Sequence, residues 1–204
     1  QSAIILWTTF TGIISALATG LVAIPVHFVQ NKSKVVRGFS SAAAAGMMIS
    51  ASVFSLAQEG IALKSKFPLS PYIVILGLLL GAAFFRYTEK KVAHLESHKY
   101  VLAQGLTRRG LLIFTTMFIH SIPEGIAIGV AFATGNLQFG LVMAIAIAVH
   151  NIPEGIAVSL PLKTDGASTK KCAVASILTS IPQPIMAVPA ALLTTLFEPL
   201  LPIG

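Results

Sequence analysis

Six apolar runs, each close to the length of a bilayer core, leave this chain few folds to choose from. They cover residues 3–29, 39–63, 71–85, 111–133, 137–160 and 172–196. About 20 apolar residues span a membrane as a helix. In lipid every backbone N–H and C=O must be satisfied within its own segment or within a closed barrel, and runs this long and this apolar select helices. The expected fold class is therefore all-α: a polytopic transmembrane helix bundle with six spans, formed as a single transmembrane domain over residues 1–204. Only 10% of the 204 residues are charged and 55% are hydrophobic, which leaves no room for a sizeable soluble domain. The first run is longer than a secretory signal and lacks a basic stretch before it, so it is expected to be a span.

The basic residues set an orientation. Loops after the odd-numbered runs carry Lys32, Lys34, Arg37, then Arg86, Lys90, Lys91, Lys99, Arg108, Arg109, then Lys163, Lys170, Lys171. Loops after the even-numbered runs carry Lys64 and Lys66 alone. Twelve against two places the N-terminus outside and the long polar segment 86–109 in the cytoplasm. The net charge of +7 is thus read as loop charge, and no nucleic-acid partner is expected. A single cysteine, Cys172, excludes an internal disulfide framework and a thiolate metal cluster.

Within the fourth and fifth runs the same pentad occurs twice, 30 residues apart: His120-Ser121-Ile122-Pro123-Glu124 and His150-Asn151-Ile152-Pro153-Glu154, each followed by Gly-Ile-Ala. On a helix, His and Glu at i and i+4 share a face. An imidazole nitrogen with a carboxylate suits a divalent transition metal. A carboxylate at mid-membrane costs roughly 2.5–3.5 kcal/mol on insertion scales, so Glu124 and Glu154 together cost about 5–7 kcal/mol unless something compensates them. A shared dication does so. A pair of polar contacts gluing helices together is the plainer alternative, and its weakness is that the whole pentad repeats. The prolines deprive the Ile119 and Val149 carbonyls of their usual partners and are expected to kink both helices. With the intervening turn centred on Gly135, Pro123 and Pro153 lie roughly 18 and 27 Å along their helices from the outer surface, near mid-membrane.

These pentads resemble those of the ZIP family of divalent-metal transporters, closest to its GufA-like branch. The small-residue stretch Ala43-Ala-Ala-Gly-Met-Met-Ile-Ser-Ala-Ser52 resembles the second helix of that branch. The resemblance implies eight transmembrane helices, an extracellular N-terminus, and a cytoplasmic, often His-bearing loop between the third and fourth. It also implies a binuclear site between the fourth and fifth helices and movement of zinc or related ions towards the cytoplasm. By position, His120, Glu124, His150 and Glu154 match the main metal site. Ser121 and Asn151, with the shared glutamates, match the second. The sixth-helix ligand, commonly Glu before Pro, falls on Gln183 before Pro184, and Ser121 stands where Asn is common. With six spans against eight, the chain is expected to be C-terminally incomplete.

The expected cargo is a divalent transition metal, zinc first, with iron, manganese and cadmium also compatible with two His and two carboxylates. It is a substrate, not a cofactor, and no organic cofactor is expected. The bilayer and the metal are the expected partners, with a homodimer as the candidate assembly. Gln58 and Glu59 form a candidate accessory ion site, against the simpler reading of helix-end groups reaching interfacial water. His27 is a candidate exit ligand or an interfacial His. His94 and His98 are a candidate loop metal sensor or solvated side chains. Two other function classes fit a buried His/Glu site: an intramembrane metal-dependent hydrolase and a membrane protein with a static metal. Against the hydrolase, the spacing is not His-Glu-x-x-His and no uncommitted general base accompanies the pentads.

Overall fold

The computed structural model describes residues 2–26, 52–62, 65–95 and 108–197, with isolated positions between 35 and 50. Among the described residues the ordered elements are all helical. α1 is Ser2–Leu21 and continues after a break at Val22 as the short α2, Ala23–Val26. A π-helical turn, Ser52–Leu56, leads into α3, Ala57–Ala62. α4 is Ser70–Leu95, α5 is Arg108–Ala133 and α6 is Leu137–Thr164. α7 is Thr169–Ser180 and α8 is Pro182–Leu196. Five stretches are long and apolar enough to cross a membrane: Ser2–Val26, Ser70–Thr88, Ile113–Ala133, Leu137–Thr164 and Thr169–Leu196. They coincide with five of the six apolar runs. In the other, residues 39–63, positions 40, 41, 44, 47, 48, 51 and 63 lie outside the described residues.

Helix ends follow local chemistry. Asn136 caps α6, its side chain accepting from the Phe139 N–H at 3.1 Å. Gly135 precedes it at φ 78°, a left-handed turn that glycine adopts without a Cβ clash. The sixth run breaks where its prolines predict. Pro182 and Pro184 lack the N–H groups that would bond the carbonyls of Leu178 and Ser180, and α7 stops at Ser180. Pro123 and Pro153 behave differently, since α5 and α6 each continue through their proline. The polar segment 86–109 is also shorter as a connection than its composition suggests. α4 runs on to Leu95, because Glu and Lys favour helix and no Pro or Gly interrupts before Gly105.

The bundle is apolar outside and small or hydroxylic within, as lipid requires. Leu76, Leu79 and Leu80 of α4, Ile145 and Val149 of α6 and Ile185 and Leu193 of α8 are exposed on its outer surface. Inside, Ala127, Ile128, Ala131 and Phe132 of α5 pack on Met143, Ala144 and Ile147 of α6 and Ala187 of α8. α1 buries Thr8, Thr11, Ser15 and Thr19, and Thr19 Oγ1 lies 2.7 Å from Ser180 Oγ. Two glycines let neighbouring helices come close to the pentads. A Cβ on Gly125 would collide with the Gln183 backbone of α8, and one on Gly155 would collide with the Thr19 carbonyl of α1.

Candidate metal centre

The glycine that follows each pentad thus draws a second helix against it, and the site is assembled from four segments. α5 supplies His120 and Glu124, and α6 supplies His150 and Glu154. From each of these four residues one ligand-type atom lies within 4.8 Å of those of the other three. Glu124, His150 and Glu154 are buried. His150 Nε2 lies 3.0 Å from Glu124 Oε1 and 3.3 Å from Glu154 Oε1. His120 Nε2 lies 3.5 Å from the same Glu154 oxygen. The two imidazoles approach with ring centroids 6.4 Å apart.

Proximity here is not hydrogen bonding. Glu124 Oε1 and His150 Nε2 are both buried, and neither has a hydrogen-bond partner of proper geometry despite the 3.0 Å between them. Buried polar groups are normally paired. A buried carboxylate oxygen and a buried imidazole nitrogen that lie close without such a partner suit convergence on a common cation. Two carboxylates and one dication also sum to zero charge, which removes the cost of two bare anions in a low-dielectric interior. The residues therefore fit a divalent metal as cargo.

The three residues matched to a second position are arranged otherwise. Gln183 Nε2 donates to Glu124 Oε2 at 2.6 Å and to Asn151 Oδ1 at 3.1 Å. Asn151 Nδ2 donates to Gln183 Oε1 at 3.0 Å, to the Ser15 carbonyl at 2.8 Å and to Ser15 Oγ at 2.9 Å. Asn151, Gln183 and Ser15 are fully buried. Ser121 is buried too, and its hydroxyl has no hydrogen-bond partner.

Of the remaining candidates only Gln58 has a described side chain. Gln58 and Glu59 lie on α3, where Gln58 is exposed and the Glu59 side chain falls outside what is described. His94 lies near the C-terminal end of α4, with its side chain likewise undescribed, and His27 and His98 lie outside the described residues. Ser15 is the residue that sequence reasoning missed. Its signal is weak: a hydroxylic stripe Thr8, Thr11, Ser15, Thr19 along one face of the first run.

Comparison with known proteins places the chain in a family. Residues 86–199 match the ZIP zinc transporter family. The chain is 32% identical over 198 residues to the zinc transporter GufA of Myxococcus xanthus, covering 94% of this chain and 78% of that protein. It is 37% identical over 190 residues to an Arabidopsis thaliana protein provisionally named a zinc transporter, covering 92% of this chain and 29% of that one. The chain belongs to the ZIP family. It is an integral, multi-pass membrane protein of metal transport, not an enzyme. Both ZIP pentads, Gln183 and the break before it lie inside the matched segment.

Proposed function

We propose that this ZIP protein carries a divalent transition metal, zinc first, across the membrane towards its basic-loop side, binding it through His120, Glu124, His150 and Glu154. The observation that carries the reading is the approach of four ligand-type atoms from two membrane helices to within 4.8 Å. Two imidazoles and two carboxylates take zinc, and also iron, manganese or cadmium, so a competition series sets the order. The zinc-transport names of both relatives support zinc as the first cargo. The single transmembrane unit over residues 1–204, with the 86–109 segment cytoplasmic and the N-terminus outside, belongs to the same proposal and rests on the distribution of Lys and Arg.

Two experiments test it. Purified protein in liposomes is expected to move zinc inward, and Glu154→Ala is expected to abolish that flux at unchanged incorporation. Wild-type flux in the variant removes the ligand assignment. For orientation, a cysteine at Ser97 is expected to resist an impermeant thiol reagent in intact cells. Ready labelling there reverses the topology.

A further inference from the structure

The amides beside the metal centre admit one orientation. The Ser15 carbonyl only accepts, so the end of Asn151 that meets it is the nitrogen. An ionised Glu124 carboxylate also only accepts, so the end of Gln183 against Oε2 is again the nitrogen. Between these fixed ends the amides pair reciprocally, each oxygen accepting from the other's N–H. Turning either amide over would set oxygen against oxygen at 3 Å or less. The four groups form a directed chain, Ser15 to Asn151 to Gln183 to Glu124, crossing from α1 through α6 and α8 to α5.

This direction has a chemical consequence. Both amide oxygens, the atoms that would ligate a cation, already accept a hydrogen bond inside the pair. What Gln183 offers to Glu124 Oε2 is a hydrogen-bond donor, where a second ion would need an acceptor. The donor also fixes the carboxylate, holding Oε2 against Gln183 and leaving Oε1 on the His150 side, where it has no hydrogen bond. We infer that Ser15, Asn151 and Gln183 are a positioning relay that occupies the second cation position with an N–H group, so that the pocket binds one dication and Glu124 meets it through Oε1 alone. The inference rests on the metal site proposed above. Gln183 acts through Glu124, and its close approach depends on the missing side chain at Gly125.

Zinc binding to the purified full chain, measured by elemental analysis and by titration against a chelating indicator, tests the relay. The wild type is expected to hold one zinc. Gln183→Glu replaces the donor with a third carboxylate and is expected to hold two, a gain that a merely structural residue would not produce. Gln183→Met removes the donor at similar length and is expected to keep one zinc, bound about tenfold or more weakly, the scale of a lost hydrogen bond to a charged group. Two zincs in the wild type, one in a folded Gln183→Glu, or an affinity in Gln183→Met within twofold of wild type would each overturn the relay and leave the four-ligand site standing. If Gln183→Glu does not fold, the Gln183→Met affinity decides. No zinc in the wild type would remove the four-ligand site, and the relay with it.

Discussion

The two pentads are nearly the same sequence, yet they occupy different surroundings. The His150 side chain is 5% exposed and touches both glutamates, whereas the His120 side chain is 22% exposed and lies 3.5 Å from Glu154. One position along, the Asn151 side chain makes four hydrogen bonds reaching α1 and α8, while the Ser121 hydroxyl makes none. The difference comes from the neighbours. α1 packs on α6 and brings Ser15 to Asn151, while α8 packs on α5 at Gly125 and gives the Ser121 hydroxyl no partner. The second pentad is the anchored half of the site. The first carries its more exposed imidazole. A sequence repeat fixes which atoms are supplied, and the packing decides how firmly each is held.

That asymmetry predicts unequal losses. The largest is expected at Glu154, whose one oxygen lies near both imidazoles, and at His150, which lies near both carboxylates. Glu154→Ala leaves the dication undercompensated and His150→Ala removes a buried ligand, and either should weaken zinc binding on the order of a hundredfold or more. His120→Ala should cost about tenfold, because a partly exposed position can admit water as a replacement ligand and the effective dielectric there is higher. Calorimetric titration of both His variants checks this. Equal losses would show that the two pentads act as a symmetric pair.

Protons sharpen the same comparison. An imidazole binds metal only in its neutral form, so protons compete with zinc at a histidine ligand and affinity falls as the solution is acidified. The pH dependence is expected to flatten in His150→Ala and to change less in His120→Ala. Identical wild-type affinities at pH 5.5 and pH 7.5 would argue against histidine ligation altogether.

How much of this was legible beforehand follows from what lipid enforces. Apolar length reveals spans because the bilayer leaves the backbone no alternative, and five of the six runs reappear as spanning helices. The His/Glu pairs were legible because i and i+4 is a property of one helix. The break before α8 was legible because Pro182 and Pro184 remove N–H groups. That α5 and α6 would each hold a pentad within one helix was legible too, since the His/Glu pairing requires it. Ser15 was not legible. Hydroxyls in membrane helices commonly bond their own preceding turn, as Thr9 does to Ile5 and Thr194 to Ala190, and nothing local marks the one that meets another helix. The unequal burial of His120 and His150 is likewise a tertiary fact.

The smallest expected effect separates the residues that follow each histidine. Asn151→Ala removes the donor to Ser15 and both bonds to Gln183, leaving the buried Gln183 amide oxygen without its donor. Such groups cost about 1–3 kcal/mol each in soluble proteins, and polar contacts between membrane helices average nearer 0.6 kcal/mol. A loss of about 1–2 kcal/mol in unfolding free energy is therefore expected, with a several-fold loss in zinc affinity as Gln183 loosens its hold on Glu124. Ser121→Ala removes a buried hydroxyl that already lacks a partner, so its stability is expected to stay within about 0.5 kcal/mol of wild type or to rise, since an unsatisfied group is being deleted. Thermal unfolding of both variants in one detergent, each with and without zinc, provides the comparison. If zinc stabilises Ser121→Ala much less than it stabilises the wild type, the Ser121 hydroxyl faces the ion, and the first pentad contributes more to the site than its surroundings indicate.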